Sequence, residues 1–201
     1  LQWSLEKGRV LYLTGSEQTQ HFNALAKLYP NIQHIGLGLV TTQAGKMSSR
    51  IGNVITAEDV INGLYTEFGD YNVVYNVLAG FFLKSSPSSP KNIDMAFLSN
   101  RKNSQGLYIS YQLARLKSAG LMCDPDELKE PKLKYKLHKA QYNLNPSVLF
   151  DGVFELAEKI SVLYDKHRIK DNQENAAMFE NLGSDLASGM KLLGLLEVDR
   201  V

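Results

Sequence analysis

The chain has 201 residues, 44% of them apolar, with 22 basic against 21 acidic side chains and a net charge of +1. That length fits one large or two small domains, and the balanced charge excludes a protein-wide basic field. A single cysteine, Cys123, excludes an internal disulfide and a cysteine-based zinc set, is compatible with the cytosol and reads as a passive thiol, while no apolar run reaches the roughly 20 residues that a bilayer span needs.

The start, Leu1-Gln2-Trp3-Ser4-Leu5-Glu6-Lys7, has no charged segment ahead of an apolar stretch, so no signal peptide is expected. Without an initiator Met, the chain is expected to be a piece of something longer. Arg9 to Thr14 is nearly continuously apolar and predicts a buried strand that Gly15 ends. Glu17 to Tyr29 predicts a helix, with Phe22, Leu25 and Leu28 at helical spacing and Pro30 behind it. A second strand is expected from about Gln33 to Val40. Strand, helix and strand with short links imply parallel pairing and a right-handed crossover. Ligands of such sheets bind beyond the carboxyl ends of the strands, where Gly15-Ser16-Glu17-Gln18 and the next loop both fall.

That loop, Gly45-Lys46-Met47-Ser48-Ser49-Arg50-Ile51-Gly52-Asn53, joins a lysine and hydroxyls to flanking glycines. Such a loop can close over a phosphate, and its glycines allow close approach. By composition alone it is equally an ordinary solvated basic turn. Thr56-Ala57-Glu58-Asp59 forms a variant capping box that opens a helix through Leu64. From there apolar residues recur at helical spacing, and the change from α/β to all-helical character falls near Tyr65 to Tyr71. Val73 to Leu83 reads as a buried helix, and Ser85-Ser86-Pro87-Ser88-Ser89-Pro90 as a loop. Further helices carry Leu149, Val153, Leu156, Ile160 and Leu163, with Pro146 at the first helical position, and Phe179, Leu182, Leu186, Met190 and Leu193.

Asn103 to Arg115 opens a helix on which Tyr108, Tyr111 and Arg115 share a face. Rings and a guanidinium together suit splayed single-stranded bases. The competing reading packs the tyrosines into the core and puts Arg115 in a structural ion pair. Lys129, Lys132, Lys134, Lys136, His138 and Lys139 crowd together; they could meet phosphates, but such runs are more often a solvated face. His21 and His34 read as packing histidines. The four histidines offer no metal-ligand spacing.

These segments carry a family resemblance. Lys46-Met47-Ser48-Ser49-Arg50 resembles the Lys-Met-Ser-Lys-Ser signature of class I aminoacyl-tRNA synthetases, in the form that arginyl-tRNA synthetases often carry. Asn103 to Arg115 resembles the Asn-Ser-Gly-Pro-Tyr-x-Gln-Tyr-x-x-Ala-Arg opening of their helical DALR anticodon-binding domain. Leu163 to Ile169 and Leu192-Leu193-Gly194-Leu195 are similar to later segments of that domain. Gly15 to Phe22 resembles Gly-x-x-Gln-x-x-His-Phe, and His34 to Val40 resembles the following strand.

The resemblance implies a partial Rossmann-type catalytic domain over 1–67, then an α-helical bundle, the DALR anticodon-binding domain, over 68–201. It implies arginine–tRNA ligase activity in the cytoplasm, through an arginyl-adenylate, with ATP, arginine and arginine tRNA isoacceptors as partners. Magnesium would enter with ATP, and no membrane is involved. Lys46 and Ser48 would be catalytic, with Lys46 the charge donor. Gly15, Glu17, Lys46, Met47, Ser48, Ser49 and Arg50 would face ATP, and Gln18 the arginine. Tyr108, Tyr111, Gln112 and Arg115 would lie on the tRNA surface. Such residue types suit the chemistry: charge builds on the α-phosphate as pyrophosphate leaves, and catalysis is mostly positioning and charge stabilisation.

The departures are specific. Ser49 replaces the second lysine of the general signature, Leu107 an expected proline, and Val201 a common terminal Met. No His-Ile-Gly-His signature occurs, so the first half of the nucleotide fold is missing and the chain alone is expected not to aminoacylate. A sheet of two strands has too little apolar area, and its edge should be covered by missing sequence or a partner. The alternatives are a free-standing, non-catalytic RNA-binding module derived from a synthetase, or another class I synthetase such as a cysteinyl enzyme. The lone cysteine and the Tyr108 to Arg115 motif argue against the latter.

Overall fold

The computed structural model describes residues 8–42, 55–167 and 172–198, and the backbone of Gly45 and Lys46. They fall into two compact units, 1–55 with 86–94, and 56–85 with 95–201.

In the first unit, β1 (Val10–Gly15) leads through a 3₁₀ turn (Ser16–Gln18) into α1 (Thr19–Leu28) and back to β2 (Ile32–Leu37). The strands are parallel, in register from Val10 opposite Ile32 to Gly15 opposite Leu37. Strand alternation sends Val10, Tyr12 and Thr14 to the same face as Ile32 and His34. Phe22 of α1 fills that face: its ring lies 4.9 Å from Tyr12 and stacks on His34 at 4.6 Å. Thr14 Oγ1 and His34 Nε2 are 2.9 Å apart, so His34 is a packing and bonding residue. The opposite face is bare. Leu11 and Leu13 are 41% and 60% exposed, and Leu37 also stands in solvent, although parallel sheets ordinarily bury both faces.

The expected strand from Gln33 to Val40 is two elements. β2 stops at Leu37, where the Gly38 N–H donates to the Pro87 carbonyl at 2.8 Å. A Cβ on Gly38 would overlap the Ser89 backbone, so only glycine allows this approach. Beyond it, β3 (Val40–Thr42) belongs to a second sheet, antiparallel to β4 (Gly45–Lys46) and parallel to β5 (Lys91–Ile93). The serine- and proline-rich stretch is thus a return path into the first unit.

The second unit is helical among its described residues: α2 (Ala57–Phe68), α3 (Tyr71–Leu83), α4 (Met95–Leu98), a 3₁₀ turn (Arg101–Asn103), α5 (Gln105–Ser118), α6 (Pro131–Asn143), α7 (Ser147–Lys166) and α8 (Gln173–Leu193). The capping box at α2 is formed: Asp59 N–H donates to Thr56 Oγ1 at 3.1 Å and Thr56 N–H to Asp59 Oδ2 at 2.8 Å. The Thr56 hydroxyl, donating to Asp59 Oδ2 at 2.7 Å, and then the Thr56 N–H hold the Asp59 carboxyl below its ordinary value. The helix runs one turn past Leu64, to Phe68, and Gly69 ends it in the left-handed region. Pro146 is the N-cap of α7 rather than its first helical residue, with Asn145 Oδ1 accepting from the Ser147 N–H at 3.2 Å.

The core joins Ile109, Leu113 and Leu116 of α5 to Val153, Leu156 and Ile160 of α7 and to Phe179, Leu186 and Met190 of α8. The α3–α5 contact is made glycine to glycine. A Cβ on Gly80 would lie 2.6 Å from the Gly106 nitrogen, and one on Gly106 would overlap the Asn76 carbonyl. At this crossing Asn76, fully buried, clamps the chain end. Its Nδ2 donates to the Leu196 carbonyl at 2.7 Å and to Ser110 Oγ at 2.8 Å, while its Oδ1 accepts from the Leu196 N–H at 2.9 Å. Replacing Asn76 with Ala leaves buried Ser110 and the part-buried Leu196 backbone without their amide partner, so urea unfolding should show a loss of about 1–3 kcal/mol. Gly106→Ala should cost at least about 2 kcal/mol, because backbone rather than a flexible side chain must yield.

Candidate functional sites

At the carboxyl end of β1, Gly15 is extended (φ −58°, ψ 145°) and the chain tightens at once into the 3₁₀ turn, where Thr19 Oγ1 donates to the Ser16 carbonyl at 2.6 Å. Glu17 and Gln18 are exposed on this turn, and the Glu17 carboxylate folds back over Gly15. Gly36, at the matching end of β2, keeps the turn close: its Cβ would lie 3.2 Å from Ser16 Cα. Gly15, Glu17 and Gln18 are therefore brought together. Lys46 is not on the edge of that sheet. It pairs through its backbone with Thr41 of β3, in the second sheet. Met47, Ser48, Ser49 and Arg50 lie outside the described residues.

On α5 the shared face is real but mostly occupied, because α7 packs against it. Tyr108 is partly buried with its ring 5.6 Å from Phe154. The Arg115 guanidinium lies 3.6 Å above the Tyr164 ring, and its Nη2 is 3.2 Å from Asp165 Oδ1. Tyr111 is 43% exposed, whereas Gln112 is 1% exposed. The expectation that Gln112 meets RNA is corrected by that burial: it presents no surface, and its Oε1 has no hydrogen-bond partner. Tyr111 alone of the four keeps a free ring. Tyr164 and Asp165, which hold Arg115, belong to the Leu163 to Ile169 segment; no spacing rule pairs α5 with α7.

The basic run is largely ion-paired. Lys132 and Lys136 share Glu155 at 2.9 and 3.0 Å, Lys134 meets Glu127 at 3.5 Å and Lys129 meets Asp126 at 3.7 Å. Bonds from Lys132 and then Lys136 hold the Glu155 carboxyl below its ordinary value. Asp185 of α8, buried, fixes the start of α6 by accepting from the Lys129 N–H at 2.5 Å and the Glu130 N–H at 3.0 Å. Cys123 is buried, and burial foremost pushes its thiol up to about 11, which makes it an inert packing group. Among the described residues there is no group of three metal-ligating side chains, and no helix is long and apolar enough to cross a membrane.

No protein-family profile matches the chain. Curated sequences do. The arginine–tRNA ligase of Limosilactobacillus reuteri (strain DSM 20016) is 25% identical over 241 residues, covering 95% of this chain and 42% of the ligase. That of Borreliella burgdorferi is 26% identical over 94% of this chain and 40% of its own length, and that of Treponema denticola 30% identical over 63% of this chain and 26% of its own. The chain is similar in sequence to arginine–tRNA ligases. It spans less than half the length of these ligase relatives. The fold agrees. Arginyl-tRNA synthetase of Thermus thermophilus superposes with a TM-score of 0.74 at 17% identity, over 96% of this chain and 41% of that one. The Plasmodium falciparum arginyl-tRNA synthetase gives 0.70 at 16%, over 96% and 41%. An α/β region followed by a mostly helical one is thus the shared ligase architecture.

The α5 geometry makes Arg115 structural first. Arg115→Lys should lower unfolding free energy by about 1 kcal/mol, since an ammonium loses the planar stack on Tyr164. Asp165→Ala should be nearly neutral in the same urea melts, because the Asp165 side chain is 70% exposed.

Proposed function

We propose that this chain is the C-terminal portion of an arginine–tRNA ligase: the end of a Rossmann-type catalytic domain, about 1–67, joined to a DALR-type anticodon-binding bundle, about 68–201. One observation carries the reading. Sequence likeness to ligases runs over 95% of the chain yet covers 42% of the ligase. The bare Leu11 and Leu13 face of the β1–β2 sheet supports it, as a sheet built to be covered by the rest of a nucleotide-binding domain.

In this reading the whole enzyme joins arginine to its tRNA with ATP. The arginine carboxylate attacks the α-phosphate and pyrophosphate leaves; a tRNA hydroxyl then attacks the adenylate's carbonyl carbon, forming the ester and releasing AMP. Lys46, with Met47, Ser48, Ser49 and Arg50, stabilises charge on the phosphates, and Lys46 and Ser48 are the catalytic pair. Gly15 and Glu17 line the adenosine side, at the 3₁₀ turn that follows β1. Gln18, exposed beside them, offers an amide to the arginine. Magnesium arrives with ATP, held mainly by its phosphates. Tyr111 supplies a free ring to the anticodon arm, and Tyr108 and Arg115 hold the helix that carries it.

The test is a chimera of the Limosilactobacillus reuteri ligase's preceding sequence and this chain. It should catalyse arginine-dependent ATP–pyrophosphate exchange, and Lys46→Ala should cut the rate on the order of 100-fold. The chain alone should show no exchange. A folded chimera without exchange, or arginylation by the 201-residue chain alone, would contradict the reading.

A further inference from the structure

The two most exposed tyrosines among the described residues lie on α6. Tyr135 is 65% and Tyr142 86% exposed. They are seven positions apart, two turns, so their rings rise from one face about 10 Å apart along the axis. His138 and Lys139, both exposed, stand between them on that face. The buried residues of this helix, Leu133 and Ala140, point the other way, so the tyrosine ridge takes no part in the core.

The helix is also strongly one-signed. It carries Lys132, Lys134, Lys136, Lys139 and His138 and no acidic residue. Glu127 and Glu155 offset part of this by pairing with Lys132, Lys134 and Lys136, and Asp151 also acts on Lys136. Beside the ridge, α6 and α8 border an open groove of about 740 Å³ whose lining includes Leu128, Leu137 and Leu192 with Lys134, His138 and Lys191. Asp126 and Glu127 also line it, each paired with a lysine.

We propose that the Tyr135–Lys139–Tyr142 ridge is a binding platform for the unpaired loop of an RNA, with bases stacked on the two rings and phosphates drawn by Lys139 and the α6 charge. Two aromatic faces separated by a lysine match the demand of single-stranded RNA, whose bases need flat apolar partners and whose backbone needs cations. A protein partner fits less well, because interface cores are depleted in lysine. The platform rests on the reading of the chain as a tRNA binder, but it is separate from Tyr111 on α5.

The test uses the full chain and two fluorescent probes: an anticodon stem–loop RNA of arginine tRNA sequence, and a blunt duplex of the same stem. Both rings are exposed, so Y135A/Y142A should keep the helical circular dichroism of the parent. It should bind the stem–loop more weakly by roughly 5- to 100-fold per ring and the duplex unchanged. Y135F/Y142F should restore binding, since stacking needs the ring and not the hydroxyl. Lys139→Ala should weaken both probes and lower the salt slope by about 1. Unchanged stem–loop affinity in Y135A/Y142A overturns the platform, leaving the ridge as a protein-facing or unused surface. If Tyr111→Ala then weakens binding, the proposed function stands without it; if no variant matters and the stem–loop is not preferred, both fail.

Discussion

The helical unit depends on one close crossing. Gly80 of α3 and Gly106 of α5 allow the two backbones to approach until a single methyl would collide with main chain. That approach seats the Asn76 amide between Ser110 and the backbone of Leu196, so one buried side chain ties together α3, α5 and the segment after α8. The amide is fully committed, both its donor and acceptor sides, which is what makes a buried polar group favourable rather than costly. Once α5 is fixed there, its other faces meet α7 and α8 in the apolar core.

The same fixation explains the division of labour along α5. A helix held on several sides has little surface left, and Tyr108, Gln112 and Arg115 are absorbed into packing, a buried amide and a stacked ion pair. What remains outward is Tyr111. On α6 the situation is reversed. That helix is anchored at its start by Asp185 and along one side by the Lys132–Glu155–Lys136 bridge, and its far face stays open with two rings and a lysine upon it.

The architecture was legible wherever the signal was local. The parallel β1–β2 pair, the capping box at Thr56, and the apolar ladders of α7 and α8 all follow from spacing and end signals in the sequence. What was not legible depended on partners distant in sequence. The break of the second strand at Gly38 is set by Pro87 and Ser89, and the return of β5 to β3 lies hidden in a stretch that reads only as loop. The face shared by Tyr108, Tyr111 and Arg115 was correctly placed, but spacing could not reveal that α7 occupies most of it. Tyr135 and Tyr142 sit among closely spaced lysines, a composition that signals charge and does not reveal that both rings face outward. Met47 to Arg50 lie outside the described residues, so the role proposed for them over ATP rests on likeness to the ligases.

The central claim is that the helical unit reads an arginine tRNA by its bases as well as by its charge. Titrating the chain with arginine tRNA transcripts, native and anticodon-altered, at two salt concentrations tests this most directly. The account predicts a preference for the native anticodon that survives the higher salt, because stacking is far less screened than phosphate pairing. Equal affinity for both transcripts, collapsing together as salt rises, would contradict it and reduce the contact to the unpaired lysines.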